Sequence, residues 1–218
     1  MPIVDLPISR YSWGSHSWRL EGSTPFAPGV TGAAGTGFIE NRVWMASLAI
    51  NAARGDNTFW FEAFFDRVRG RSGSVRVELD GRQHIAQLPQ QSTDPVTFDS
   101  DVTFDLGVTF APAQIVLSLT DAAPAGATFV RMNVVSRFVS YGTMIGLPND
   151  RVYRVASVED GRVYINPPLR EAVAAGTEVE LERPTVRMRL TDDGAGVTRM
   201  PTRLMGAFAL DLVEDLRR

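Results

Sequence analysis

The sequence contains no cysteine and no lysine, so all 22 basic residues among its 218 residues are arginines. Without cysteine the chain cannot form disulfides, thiolate zinc sites, iron–sulfur ligation or a cysteine nucleophile. Without lysine it lacks the phosphate-binding lysine of a Walker loop, a Schiff-base lysine and a catalytic lysine. Few enzyme mechanisms remain compatible with this composition.

Histidine is scarce as well, since the chain carries only His16 and His84. Two isolated histidines cannot supply a three-histidine or HExxH metal site. No nucleophile elbow is present either. The sequence therefore predicts no catalytic residues, no metal site and no cofactor.

Net charge and hydropathy exclude two further classes of partner. The formal charge is -3 with a pI near 5.5, which argues against a general affinity for nucleic acid or for an anionic membrane. No run approaches the roughly 18 apolar residues of a membrane span, and the first residues lack the pattern of a signal peptide. A composition of 44% hydrophobic and 22% charged residues is typical of a folded domain. We expect no membrane insertion and no direct binding of nucleic acid.

The composition of the chain changes at residue 41. Residues 1–40 are rich in glycine and proline and predict an extended N-terminal arm with at most short strands. The run 43–50 predicts a strand. Aromatic residues at helical spacing predict a helix over 57–69, ended by Gly70. Residues 74–79 alternate apolar and polar side chains, which predicts a half-buried strand.

The middle of the chain is a series of short segments. Residues 83–106 are polar and predict a long loop or edge strands. From residue 115 onward, strand-like runs separated by turn signals are typical of a small β-barrel or sandwich. These runs are 115–119, 129–135, 143–147, 151–158, 163–166 and 178–181. Longer runs at 185–190 and 207–215 predict further strands, the second of which could turn helical.

Two groups of motifs follow one another in a recognisable order. The first group is Arg42-Val-Trp-Met-Ala-Ser-Leu48, the helix with Phe61, Ala63 and Phe64, and the segment Arg67-Val-Arg-Gly-Arg-Ser-Gly-Ser74. The second group is Gly142-Thr-Met-Ile-Gly-Leu147, Val152-Tyr-Arg-Val155, Val163-Tyr-Ile-Asn-Pro-Pro-Leu-Arg170, Gly176-Thr-Glu-Val179, Arg183-Pro184 and Met188-Arg-Leu190. In this order, residues 40 to 190 resemble the tail-tip structural proteins of siphophages and gene-transfer particles, and are similar to distal tail proteins.

The resemblance implies a virion structural protein, not an enzyme. Distal tail proteins form a homo-oligomeric ring, commonly a hexamer, that joins the tail tube to the hub and fibres of the baseplate. The implied partners are further copies of the chain, the tail tube protein and the hub proteins. The implied location is the tail tip of the bacteriophage virion, assembled in the host cytoplasm.

The resemblance and the order of the strands together predict the fold and its domains. We expect a mainly β protein, with a belt-like β-sandwich domain and its one helix (57–69) formed by residues 41–110 and 184–218. Residues 111–183 are expected to form an inserted small β-barrel or sandwich domain, and residues 1–40 the arm. Strands after Pro184 would then pair with strands that lie far back in the sequence.

Four aromatic residues are candidates for contacts with neighbouring subunits. Trp13, Trp18 and Phe26 lie in the predicted arm, where the tryptophans could be sugar-stacking platforms or anchors. Anchors are favoured because aromatic residues are enriched at buried interface centres. Trp60 lies in an aromatic run that covers more than one helix face, so it is expected to meet a neighbour while the rest of the run packs in the core.

Three alternatives remain open at this point. The chain could be another minor tail protein or a protein associated with the tail tube. It could be a glycan-binding β-sandwich module, which would need exposed coplanar aromatic rings. A glycosidase using two carboxylates is compatible with the composition, because that chemistry needs neither lysine nor cysteine.

Overall fold

The computed structural model describes residues 3–6, 13–22, 26–28, 34–36, 42–54, 56–79, 117–133, 139–181, 183–193, 199–202 and 205–217. Within these residues the protein is mainly β, with sheets packed in a sandwich-like arrangement and a single α-helix, as predicted. The helix is α1 (Asp56–Val68), and a 3-10 turn follows at Gly70–Ser72. The strands are β1 (Ile3–Asp5), β2 (Trp13–Glu21), β3 (Phe26–Pro28), β4 (Ala34–Thr36), β5 (Val43–Arg54), β6 (Ser74–Glu78), β7 (Phe129–Arg131), β8 (Met144–Leu147), β9 (Arg151–Glu159), β10 (Arg162–Asn166), β11 (Thr185–Leu190), β12 (Arg199–Thr202) and β13 (Met205–Glu214).

The larger sheet joins the two ends of the described chain. Its strand order is β1-β6-β11-β13-β5-β2, and β12 pairs with β13 beside this path. The late strands β11 and β13 lie between the early strands β6 and β5 and run antiparallel to them. Pairing of the returning chain with strands distant in sequence is therefore confirmed. For residues 207–215 the sequence predicts a strand that could turn helical. In the structure this segment belongs to strand β13 as far as Glu214.

The N-terminal segment contributes more to this sheet than the sequence predicts. Strand β2 pairs antiparallel with β5 from Trp13 opposite Ile50 to Glu21 opposite Val43, and β1 pairs parallel with β6. Residues 3–5 thus form a short strand, which the prediction allows, whereas residues 13–21 of the predicted arm form a nine-residue strand, longer than predicted. The reason is that Trp18 faces the core from β2, while serines and a histidine at neighbouring positions obscure the apolar alternation. Among the described residues, β3 and β4 pair only with each other.

The first core lies between the larger sheet and the helix. The inward residues Val75 and Val77 of β6 are buried as the alternation predicts, and the helix adds buried Phe61 and Phe64. The ring of Phe61 stacks on Phe208 of β13 with centroids 4.4 Å apart. Aromatic packing fixes the helix on the sheet, since rings of this size contribute large buried areas.

The helix ends at a compact glycine-containing turn. Arg69 and Gly70 both have positive φ, at 56° and 62°, which breaks the helical path one residue before the predicted end. Gly73 has an ordinary φ of -83°. A Cβ at Gly73 would lie 1.8 Å from the carbonyl oxygen of Val68, so a glycine is needed there because the backbones approach so closely.

The second sheet has the strand order β7-β10-β9-β8. One face of β8 and β9 supplies buried Ile145, Tyr153 and Val155 to a second core. From the other face, Met144 and Val152 enter the first core. The second sheet is therefore packed between the two cores. Whether residues 111–183 fold on their own as an inserted domain stays a prediction.

Some predicted segments take other forms or lie outside the described residues. The run 178–181 contributes isolated bridges, from Glu178 to Ser118 and from Glu180 to Gly146, instead of a strand. The predicted loop at 83–106 lies outside the described residues. In the part of the chain described, no helix is long and apolar enough to cross a membrane.

Candidate functional site: a charged junction between the sheets

Trp44 connects the two sheets at the centre of the molecule. It lies on β5 and is 1% exposed. Its indole N–H donates a 2.8 Å hydrogen bond to the carbonyl oxygen of Val152 on β9, and its backbone N–H donates to Glu214 at 3.1 Å. The guanidinium carbon of Arg154, also on β9, lies 4.9 Å from the ring centroid, within the range of a cation–π contact. One side chain of the larger sheet is thus held by two residues of the second sheet.

Arg170 and Glu214 form a buried bidentate ion pair across the same boundary. Arg170 follows the Pro167-Pro168 corner after β10, and Glu214 ends β13 with its side chain 1% exposed. The Nε of Arg170 donates to Oε1 of Glu214 at 3.1 Å, and Nη2 donates to Oε2 at 2.8 Å. Paired parallel hydrogen bonds of this kind restrict both distance and orientation.

Arg170 donates two further hydrogen bonds. Its Nη2 also donates to the carbonyl oxygen of Arg42, and its backbone N–H donates to the phenol oxygen of Tyr153 at 3.0 Å. Burial is the main cause that raises the pKa of Tyr153. This phenol is therefore neutral at physiological pH and acts as a hydrogen-bond acceptor in the junction.

Arg151 is also buried in the junction, with its side chain 4% exposed. It donates from Nη1 to the backbone oxygen of Asp215 at 2.8 Å and from Nη2 to Glu171 at 3.4 Å. Its Nη1 also lies 3.9 Å from Oε1 of Glu214. Two arginines thus converge on one buried carboxylate, which balances part of their charge.

Asp215 directly follows β13 and also belongs to the junction. Burial alone would raise its pKa, but hydrogen bonds from Arg217 and Ser74 outweigh burial and lower the pKa to about 2. The Nε and Nη2 of Arg217 donate to its two carboxylate oxygens at 2.8 and 3.0 Å. A carboxyl group so acidic cannot hold a proton for general acid catalysis at neutral pH. Its role in this geometry is that of an anion held by cations.

The junction residues overlap with the motifs that carry the family resemblance. Trp44, Tyr153 and Arg170 come from three separate motifs, and the structure brings them to the same boundary. Trp44 and Arg170 bond directly across the boundary, and Tyr153 helps to position Arg170. The arrangement can fix two sheets in a single relative orientation.

No family model and no curated protein matches this chain. Its function is therefore inferred from the junction, from the surfaces around it and from the resemblance in motif order.

Of the four predicted interface residues, Trp18 has a described side chain. Trp18 is 8% exposed and lies in the first core with Trp44, so its ring has little surface left for a neighbouring subunit. This differs from the anchor role predicted for Trp18, because the sheet itself buries the ring. The backbones of Trp13 and Phe26 lie on β2 and β3, and that of Trp60 lies on α1; their side chains lie outside the described structure.

Sequence reasoning missed Glu214 and Arg151, although each leaves a signal. Phe208, Leu210 and Leu212 alternate inward on β13, and Glu214 occupies the next inward position. Arg151 occupies the position before the buried pair Tyr153 and Val155 on one face of β9. A charged residue at an inward strand position predicts a buried partner. The identity of that partner does not follow from the pattern.

An aromatic surface lies on β7 and β10, on the side turned away from the second core. Phe129 of β7 pairs with Tyr164 of β10 across the strands, and their ring centroids are 5.8 Å apart with the planes inclined by 50°. Arg162 lies over the ring of Phe129 at 5.2 Å. Phe129 is 38% exposed, which makes this pair a surface available for contact.

Proposed function

We propose that this chain is a structural subunit of a long-tailed phage tail tip, a distal tail protein that acts by assembling into a ring. The observation that supports this most is the convergence of the family-like motifs on the junction between the sheets. Trp44 and Arg170 make hydrogen bonds that cross between the sheets, and the phenol of Tyr153 accepts a hydrogen bond from the backbone of Arg170. Their geometry is that of structural residues.

A ring subunit needs this kind of junction for a physical reason. A closed ring forms only if each subunit presents its two interfaces at a constant angle. Buried, bidentate ion pairs tolerate little change of geometry, because any displacement leaves a charge without its partner. The pair of Arg170 and Glu214 would thereby help to set the angle between the belt-like sheet and the second sheet.

The partners that fit this function are further copies of the chain, the tail tube protein and the hub proteins. Trp13, Phe26 and Trp60 stay the candidate contact residues. Aromatic side chains of this size provide the largest contributions at interface centres. A ring of six copies is the stoichiometry that the resemblance implies.

Oligomeric state tests this proposal directly. We expect multi-angle light scattering on the full-length chain to show a ring or a concentration-dependent oligomer. Replacement of Trp13, Phe26 or Trp60 by alanine should lower the oligomer mass with little change in the melting temperature. The matched control is Trp18→Ala, which should lower the melting temperature because it leaves a cavity in the first core.

Two results would contradict the proposal. One is a full-length chain that stays monomeric at high concentration and is also monomeric inside its particle. The other is a cryo-EM map of the parent particle in which this chain lies away from the tail tip.

The exposed pair of Phe129 and Tyr164 supports a second candidate, a glycan-binding module. Sugar rings stack on exposed aromatic faces, and Arg162 beside them could donate hydrogen bonds to hydroxyl groups. The 50° inclination of the rings allows only one of them at a time to lie flat against a given sugar ring. A glycan array with the full chain tests this candidate, with Phe129→Ala as the variant and Tyr141→Ala, 73% exposed on another segment, as the control.

A further inference from the structure

A pocket of about 880 Å³ opens beside the junction. Its wall carries three guanidinium groups, from Arg76, Arg170 and Arg187, and two carboxylates, from Asp150 and Glu171. The lining therefore has an excess of one positive charge. The excess can be assigned to a particular residue by following the hydrogen bonds of the carboxylates.

Both carboxylates of the pocket are already bound by donors of the same chain. Asp150 accepts hydrogen bonds from Nε of Arg76 and from the hydroxyl of Thr185, each at 2.8 Å. Glu171 accepts from Asn149 at 2.8 Å and from Arg151 at 3.4 Å. Neither carboxylate is hydrogen-bonded to Arg187.

Arg170 is also occupied, because Glu214 and the carbonyl oxygen of Arg42 take its Nε and Nη2. Arg187 is different. Its Nε is buried and has no hydrogen-bond partner within the described residues. The closest carboxylate oxygen is Oδ2 of Asp215 at 3.9 Å, and that carboxylate is hydrogen-bonded by Ser74 and Arg217.

Arg151 lies next to this pocket, because its Nη2 donates to Glu171 of the lining at 3.4 Å. Its Nε is likewise buried without a partner in the described part of the chain, and its Nη1 contacts the backbone oxygen of Asp215. Arg151 and Arg187 thus each have one buried Nε without an acceptor among the described residues, and each has a guanidinium nitrogen close to an oxygen of Asp215, at 2.8 Å and 3.9 Å. A buried donor without an acceptor is costly, and Arg187, with its side chain 17% exposed, can be reached by an anion from outside.

We propose that this pocket binds an oxyanion, a phosphate or carboxylate group, at the guanidinium of Arg187. The planar fork of arginine donates two parallel hydrogen bonds, which matches the geometry of both groups. The pocket is larger than one such group, so the oxyanion is carried by a larger molecule or enters with water. Two sources share this chemistry: a small phosphorylated or carboxylated solute, and an acidic side chain of a second copy of the chain.

Thermal melting with inorganic phosphate tests the site in the full-length chain. Phosphate is compared with chloride at equal ionic strength, for the wild type, Arg187→Gln and the control Arg183→Gln. Arg183 is 78% exposed and pairs with Glu78, outside the pocket lining. Phosphate should raise the melting temperature of the wild type and the control, and its affinity should fall about tenfold or more in Arg187→Gln, the effect of losing hydrogen bonds to a charged group.

A second measurement keeps the test informative if Arg187→Gln fails to fold. The side-chain Nε–Hε signals of the wild-type arginines are followed by NMR during a phosphate titration, with Arg187→Lys used to assign the signal. The Arg187 signal should shift with saturation, while that of Arg183 stays in place. The proposal is overturned if the Arg187 signal does not move, or if phosphate stabilises Arg187→Gln as much as the wild type.

Measurement of the oligomer mass by light scattering in chloride buffer distinguishes the two sources of the oxyanion. If Arg187→Gln, or added phosphate, lowers the oligomer mass of the chain, the oxyanion is a carboxylate of a second copy. If phosphate binds at Arg187 and the mass does not change, the site serves a solute. Because phosphate binding is read on a single chain, the result does not depend on whether the protein forms a ring.

Discussion

At the scale of single residues, this protein places charged side chains where most proteins place apolar ones. Glu214 and Asp215 are almost fully buried, as is Arg151. Glu214 and Asp215 accept hydrogen bonds from residues distant in sequence, and Arg151 donates one to such a residue. A buried charged side chain is stable only together with its partner, because removal of one leaves the other charged and desolvated.

The first prediction concerns Glu214. Glu214→Gln removes the carboxylate that holds Arg170, and we expect the free energy of unfolding to fall by about 3–5 kcal/mol. Urea denaturation measures this change. The matched control is Glu21→Gln in the exposed pair of Arg19 and Glu21, for which a loss of about 0–1 kcal/mol is expected. Similar losses in the two variants would contradict a structural role for the junction.

The second prediction follows from the lowered pKa of Asp215. Its pKa is about 2 in the folded chain against an ordinary value of 3.8. The folded state therefore binds this proton less readily, and the stabilisation is fully present above pH 4. It is lost as the pH falls from about 4 to about 2, by about 2 kcal/mol.

Melting temperatures measured between pH 2 and pH 6 check this prediction. Asp215→Asn should be less stable than the wild type at pH 6, and its melting temperature should fall less steeply below pH 4. Parallel curves for the two proteins would show that Asp215 does not contribute to the acid dependence.

At the scale of elements, two turns depend on glycine for different reasons. Gly142, in the turn before β8, has a φ of 81°, and a Cβ added there would meet no atom within 4 Å, so its requirement is conformational. Gly73, after α1, has an ordinary φ, and its requirement is steric because of Val68. Substitutions at Gly142 and Gly73 therefore report on backbone strain and on close packing separately.

The third prediction compares these glycines. Gly73→Ala should destabilise the chain by about 3 kcal/mol, because the turn must move away from the Val68 carbonyl. Gly142→Ala should cost about 1–2 kcal/mol, the strain of a left-handed alanine. Chemical denaturation of both variants gives the comparison. A larger loss for Gly142→Ala would mean that the turn after the helix can relax freely.

At the scale of the whole molecule, two cores share one boundary. Met144 and Val152 leave the second sheet to enter the first core, and the ion pairs of the junction cross at the same place. The second sheet nevertheless has a core of its own, with Ile145 and Tyr153 among its members. A separate core is what an independently folding segment requires.

The fourth prediction is that residues 111–184 fold alone. In the fragment, Arg151 and Arg170 lose Glu214 but gain water, so the fragment should fold with dispersed amide resonances and melt cooperatively at a lower temperature than the full chain. The flanking parts, joined by a short glycine linker, should retain α1. If the fragment is unfolded and the linked remainder collapses as well, the protein folds as one continuous sandwich.

The sequence by itself determined the elements with strong local periodicity. Alternation placed the strand that contains Val75 and Val77, and aromatic spacing placed the helix to within one residue of its observed ends. These predictions succeed because burial of one face follows a period of two or of 3.6 residues within a short window. The mainly β class follows from the same local signals.

Only the tertiary structure decided which residues meet at the junction. Arg170 and Glu214 are 44 residues apart, and Trp44 and Val152 are 108 residues apart, so no local pattern could pair them. The sequence did not predict strand β2 for a related reason. Its place in the sheet depends on backbone pairing with β5 and on the burial of one tryptophan. Local hydrophobicity determines which face of an element is buried, whereas the partner of a buried charge is determined by how the chain returns across the sheet.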